Sequence, residues 1–240
     1  MTIYYYDSVS SAMALINNIV DWLTNAIPNM AAGTVGAQYR QQAGSLKVNA
    51  EFYVRNGGLA APLLNLFNLT RLMGATFESM DAVRVSINDA TNTGLQATAI
   101  QNAGIRYCLA QQGRILAGTT FVSREDVNTY MNEIIAAFAD AVEVVADTGE
   151  SATYMALIAL RSAIIHDLTA RGRLLPYVVN YTFARTFPTL TMANRLYPEA
   201  TMVDTGGAGE TIAQRSDDLI SENKIVHPLF MPLQIRALSA

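Results

Sequence analysis

The sequence predicts a mainly α protein that ends in a small α+β module. Three observations carry this. Apolar residues recur at helical spacing through most of the first 172 positions. After Gly172 the texture changes to an alternating run, LLPYVVNYTFART, rich in Tyr, Val, Phe and Thr. The last stretch, LISENKIVHPLFMPLQIRALSA, is punctuated by Pro228 and Pro232 and closes on a second alternating segment. The expected division is a helical body over 1–172 and a β-α-α-β module over 173–240.

Taken in order, Met13, Ile16, Val20, Leu23 and Ile27 mark a helix over 11–27, with Ser10 or Ser11 as its cap and Pro28 beyond its end. Residues 37–56 are ambiguous: Gln38–Gln42 reads as helix, whereas Lys47–Arg55 is rich in strand formers. Pro62 sits where a first helical turn tolerates it, and a helical texture runs to Asn88 with Gly74 as a kink or close-packing point. Residues 92–118 form another helix, whose small residues Ala97, Gly104 and Ala110 allow close helix approach. Ser123 caps the next helix, with Glu125 and Asp126 favouring its dipole and an apolar stripe of Val127, Met131, Ile134, Ile135, Phe138 and Val142. Asp147-Thr148-Gly149 ends it, and a further helix follows from Ser151 to Gly172. In the module, the strand after Gly172 is stopped by Pro188. A short helix then faces Leu190, Ala193 and Leu196-Tyr197 inward, MVDTGGAGE is a loop, TIAQRSDDLISENK is helical and LQIRALS is the final strand.

Composition limits the function classes. Hydrophobic residues make up 51% and charged residues 15% of 240, enough for a core and too little charge for a disordered chain. The low charge fits a subunit with covered surface. The net charge of -4 argues against a general nucleic-acid coater, whose affinity comes from phosphate neutralisation. Cys108 stands alone, so no intrachain disulfide forms. The N-terminal segment lacks a basic stretch and carries Asn17, Asn18 and Asp21, unlike a signal peptide. The most apolar internal run, YMALIALRSAII, is broken by Arg161 and too short to span a bilayer.

The tail has a recognisable pattern: Leu190, Ala193 or Asn194, Arg195 and Tyr197 in the first short helix, Asn223 closing the second, Pro228 and Pro232 in the connection, and Leu233, Ile235 and Leu238 in the last strand. This resembles a LysM-type unit. Asn223 is expected to stop its helix and bond its own following backbone. A wider pattern runs through Asp167, Arg171–Arg173, Leu175-Pro176, Phe187-Pro188, Leu190, Arg195-Leu196-Tyr197, Asn223, His227-Pro228, Phe230 and Pro232. It resembles the C-terminal region of the DNA circularisation protein (protein N) family of Mu-like phages. The resemblance covers about 160–240 and extends as helical texture over 123–160. Departures are Pro198 in place of the Gly after Tyr, an insertion at Thr201–Gly209, and Leu229 in place of the Gly of the hook. The N-terminal domain expected of full-length members is not visible.

What the resemblance implies is a structural role at the baseplate or hub of a contractile tail, in a virion assembled in the host cytoplasm, with other tail proteins and further copies of the chain as partners. The alternative it implies is a DNA-end-binding protein that helps circularise injected DNA; peptidoglycan contact through the LysM-like unit is a third class. Expected partner-binding residues are Arg171, Arg173, Arg185, Arg195, Tyr197, Asn223, His227, Pro228 and Phe230, with the loops His227–Pro232 and Thr201–Gly209 exposed. Arginine, rather than lysine, suits bidentate pairing at interfaces.

Chemistry is sparse. The two histidines, His166 and His227, lie far apart in sequence, and His166-Asp167 on a helix do not face each other. Asp217, Asp218 and Glu222 read as a solvated face. No phosphate-binding loop or nucleophile elbow occurs, and Gly206–Gly209 follows no buried strand. No catalytic residue, cofactor or metal is therefore expected.

Overall fold

A computed structural model describes residues 2–28, 33–200 and 211–239, with side chains from Ser8 onward. The described residues are mainly helical, with ten helices and one two-stranded sheet. They divide into two compact units: Met1–Thr119 with Met131–Asp167, and Thr120–Tyr130 with Leu168–Ala240. The expected loop at Thr201–Gly209 lies outside the described residues.

The first unit contains α1 (Thr2–Asn25), α2 (Thr34–Val48), α3 (Ala50–Asn56), α4 (Ala60–Leu72), α5 (Phe77–Asn88) and α6 (Leu95–Gly118). It also takes the larger parts of α7 (Arg124–Thr148) and α8 (Ser151–Gly172). The α1 helix touches each of α2–α6. Its buried Leu15, Ile16, Ile19, Val20 and Leu23 form the centre of the core. It begins before the expected cap, and Ser11 instead accepts from Thr93 N through its Oγ (3.1 Å). The ambiguous stretch is helical because Tyr39, Leu46 and Ala50 recur at helical spacing and are buried together. Tertiary burial here overrides the strand preference of Lys47–Arg55.

The long helical texture over 62–88 is two helices. At Gly74 the chain takes a φ of 89°, a left-handed conformation open to glycine, and Thr76 and Ser79 restart the helix with a reciprocal capping box. The end of α5 is held by Gln101, whose Nε2 donates to the carbonyls of Ile87, Asn88 and Ala90. Gly104 lets α6 approach closely: a β-carbon there would stand 3.1 Å from Ile87 Cδ1. Burial pushes the Cys108 thiol well above its ordinary range, which leaves it a small core residue.

The second unit holds β1 (Val178–Thr182), α9 (Thr189–Leu196), α10 (Ile212–Glu222) and β2 (Gln234–Leu238). The strands are antiparallel, with Asn180 opposite Arg236. Met192, Ala193, Tyr197, Ile212, Leu219, Met231, Ile235 and Ala237 make its core. The inward stripe of α9 is Thr189, Met192, Ala193 and Tyr197; Leu190, expected inward, is 56% exposed. The buried face is centred between Thr189, Met192 and Ala193, and Leu190, one residue round from Thr189, sits at its margin, where the side chain reaches solvent. Ser123 caps α7 reciprocally with Asp126 (3.2 Å in both directions). Likewise Ile135, expected in the apolar stripe of α7, points out, while Ile134, Phe138, Ala141 and Val145 are buried. Thr211 and Gln214 cap α10 in the same way as Thr76 and Ser79 cap α5.

Candidate assembly surface

All nine residues singled out from the sequence fall in the second unit, and they separate into three settings. The first is the hook between α10 and β2. His227 Nδ1 accepts from Leu229 N (3.3 Å), and its ring stands 5.4 Å from that of Phe230. Phe230 N donates to His227 O (3.1 Å), closing a turn, while Pro228 O accepts from Thr189 N (2.8 Å) and ties the turn to the start of α9. These bonds hold the backbone while leaving apolar side chains in water. Val226 is 100% and Phe230 73% exposed, with Leu229 and Leu233 also out. Met231 is the one apolar hook residue that is buried, and it anchors the loop in the core.

The arginines form the second setting, and three of the four lie on two different rings. Arg185 and Arg195 both lie on Phe187, at 5.0 and 4.1 Å from its centroid. Arg171 lies 5.0 Å over Phe121. Beside it Arg173 is exposed, and its carbonyl accepts from Arg124 Nη2 (3.1 Å). Arg124 was not singled out from the sequence, yet it is the better-held guanidinium. It stacks 3.9 Å over Tyr177, bonds the Tyr177 hydroxyl and donates to Gly172 O. No local pattern in the sequence marks it, because its partners lie about fifty residues further on. Leu174, Tyr177 and Val122 are exposed near these groups, along an open groove that Arg215 and Leu238 also line.

Tyr197 and Asn223 belong to the third setting, inside the module. Tyr197 is 4% exposed, and its hydroxyl donates to Leu238 O (2.7 Å). Asn223 closes α10 as expected, but its side chain does not bond its own following backbone. Nδ2 donates to Leu219 O (2.9 Å) and Arg236 O (2.7 Å), and Oδ1 accepts from Arg236 N (2.8 Å). The amide thus imitates a neighbouring strand, because its donor and acceptor match one residue of the exposed edge of β2. The hook is what brings that strand back to within reach.

Next to this edge, Glu222 pairs with Arg236 (2.8 Å). Burial raises the Glu222 pKa, Arg236 opposes the rise, and Asp126 and Glu125 add to it. A carboxyl with a raised folded-state pKa contributes stability that is present below its unfolded value and lost as pH rises through the folded one. Glu222→Gln removes this loss. The difference in thermal midpoint between the variant and the parent should therefore grow in the variant's favour from about pH 4 to pH 7. A difference that shrinks with rising pH would mean that the Arg236 pairing outweighs burial.

Among the described residues no three His, Cys, Asp or Glu side chains are placed to hold a metal, and no helix is long and apolar enough to cross a membrane. The first unit has a recess of about 380 Å³ lined by Arg84, Asn102, Arg106 and Asp140. Its guanidiniums are engaged, Arg84 with Asp81 (2.8 Å) and Arg106 with Glu150 (3.0 Å). No family model matches the chain, and no curated protein matches it.

Proposed function

We propose that this chain is a structural subunit of a phage tail baseplate or hub. In this reading it is a homo-oligomer at the distal end of a contractile tail, and its C-terminal unit is a LysM-like docking module. The observation that carries the reading is the hook. Its backbone is fixed by hydrogen bonds to α9 and within its own turn, yet Val226, Leu229 and Phe230 remain in water. Ordering apolar side chains at the surface gains nothing unless a partner covers them. The sequence resemblance supplies the kind of partner, other tail proteins.

Within this proposal the nine residues divide their work. His227, Pro228 and Phe230 meet the partner directly. Arg185 and Arg195, pre-ordered on the ring of Phe187, and the exposed Arg173 supply charge for pairing with carboxylates. Arg171, Tyr197 and Asn223 hold the backbone on which the others are displayed. The split of the arginines between two rings and the net charge of -4 favour this over DNA-end binding.

Replacing His227 and Phe230 together by alanine is expected to abolish incorporation into tails while far-UV circular dichroism stays unchanged. Normal incorporation would place the docking surface elsewhere. Immunogold electron microscopy on partly disassembled particles tests the reading itself. Gold at the distal tail end is the expected result; gold on released DNA above a bare tail end sinks it.

A further inference from the structure

We infer that two copies of this chain pair with each other through the outer edge of β1. The ladder fixes which backbone groups face outward. Ser239 N donates to Tyr177 O (2.6 Å) and Phe183 N to Leu233 O (2.7 Å). Alternate residues of an antiparallel strand point the same way, so Val178, Asn180 and Thr182 direct their N–H and C=O groups away from β2. On the β2 side Asn223 takes both outward groups of Arg236, at the middle of the strand, and Tyr197 takes Leu238 O, so that edge is capped at its centre and one end. On the β1 side Val178 N donates to Glu125 Oε2 (2.9 Å). Asn180 and Thr182, both exposed, make no hydrogen bond through these groups among the described residues. The strand VVNYT also lacks the lysine or proline that commonly blunts such an edge.

The occupant is a second copy because the edge is complementary to itself. A two-fold axis through Tyr181 sets Asn180 opposite Thr182 of the copy, and Thr182 opposite its Asn180. Each pair exchanges both backbone bonds, which uses all the free groups of these two residues and leaves Glu125 on Val178. The same register sets Tyr181 against Tyr181 as a closely spaced, non-hydrogen-bonded pair, and Val179 against Phe183. Val179 and Tyr181 lie on the sheet face that carries the buried Ile235 and Ala237, yet each is 38% exposed. Pairing covers them. Charge agrees with the geometry. Glu125 marks one end of the edge and Arg185 lies beyond the other, and neither has an ion-pair partner among the described residues. An antiparallel pair brings the Glu125 of each copy toward the Arg185 of the other. This inference gives the homo-oligomer of the tail reading one specific contact but does not rest on that reading, since the pair forms from the chain alone.

Sedimentation velocity on the full chain over a concentration series tests it. The parent chain should show a reversible dimer. Thr182→Pro removes an outward N–H without touching the ladder to β2, and it should leave the chain folded by circular dichroism and monomeric. Arg185→Glu and Glu125→Lys each place like charges at both junctions, so each alone should dimerise at least about tenfold more weakly. Mixed in equal amounts, they place opposite charges at both junctions and should recover a heterodimer. If Glu125→Lys does not fold, the other two variants decide the matter. A parent chain that is monomeric at about 1 mM overturns the inference. So does a dimer indifferent to Thr182→Pro and Arg185→Glu, or a folded mixture no better than its parts.

Discussion

Phe67→Ala is expected to lower the stability of the first unit by about 3–5 kcal/mol. Phe67 lies on α4, fully buried, with its ring edge-on to Tyr107 of α6 at 5.7 Å between centroids. Truncation loses both the burial of the ring and the aromatic pairing. The cost falls in the upper part of the usual range for core truncations because the walls cannot close on the gap. Cross-links between neighbouring helices hold them apart. Gln111 of α6 donates to Asn68 of α4 (3.0 Å) and accepts from Arg71 (3.2 Å). Tyr39 of α2 shares a hydrogen bond with Thr24 of α1 (3.0 Å). The chain has a single tryptophan, Trp22, packed against the same core. Urea unfolding followed by its fluorescence reports directly on this region. A loss below about 1 kcal/mol would show a core that collapses around the gap. Phe67→Leu, which keeps most of the volume, should cost much less.

How far the fold is legible follows from where burial acts. Strong 3.6-residue stripes are readable, and the helices at 11–27, 92–118, 123–148 and 151–172 are present with shifts at their ends. The last strand likewise lies beside the strand after Gly172; the antiparallel register and the early end of that strand at Thr182 come from the structure. Legibility fails where the deciding interaction is remote. Lys47–Arg55 has strand-forming side chains, and only the core beneath Tyr39, Leu46 and Ala50 makes it helical. Gly74 is a different case: the sequence marks it as a kink or close-packing point, and the structure makes it a full break, a left-handed turn followed by a local cap, through which the apolar pattern runs unchanged.

The candidate surface is legible in the same uneven way. A proline-rich hook with His227 and Phe230 marks itself by composition. Glu125 reads as a helix-start residue and Arg124 carries no mark, and their reach to Val178 N and Tyr177 depends on contacts about fifty residues away in sequence. Asn223 is visible as a helix stop. That its amide also completes the edge of β2 becomes evident only once the strand is placed beside it.

Tyr197 carries the largest expected effect in the second unit, and two substitutions separate its parts. Tyr197→Ala removes a buried ring from a core of few residues and should cost about 3–5 kcal/mol, the range for large aromatic truncations. Tyr197→Phe keeps the ring and removes only the hydroxyl, leaving Leu238 O at the edge of β2 without its donor. That should cost about 1–3 kcal/mol, the penalty for an unsatisfied buried acceptor. Alkaline pH gives an independent reading of the same group. Burial pushes the Tyr197 pKa up to about 12, the nearby Asp218 carboxylate adds to the rise, and the Arg215 guanidinium 4.5 Å over the ring opposes it. With the folded pKa raised, the protonated hydroxyl contributes stability that is complete below the unfolded value of about 10 and lost as pH rises through about 12. The parent chain should therefore lose stability across this window more steeply than Tyr197→Phe, which has no proton to lose there. Amide exchange at Ile235 and Ala237, whose N–H groups face β1, reports the loss at the strand itself. Parallel declines in the two proteins would mean that the hydroxyl ionises freely and does not fasten β2, and the edge would then rest on Asn223 alone.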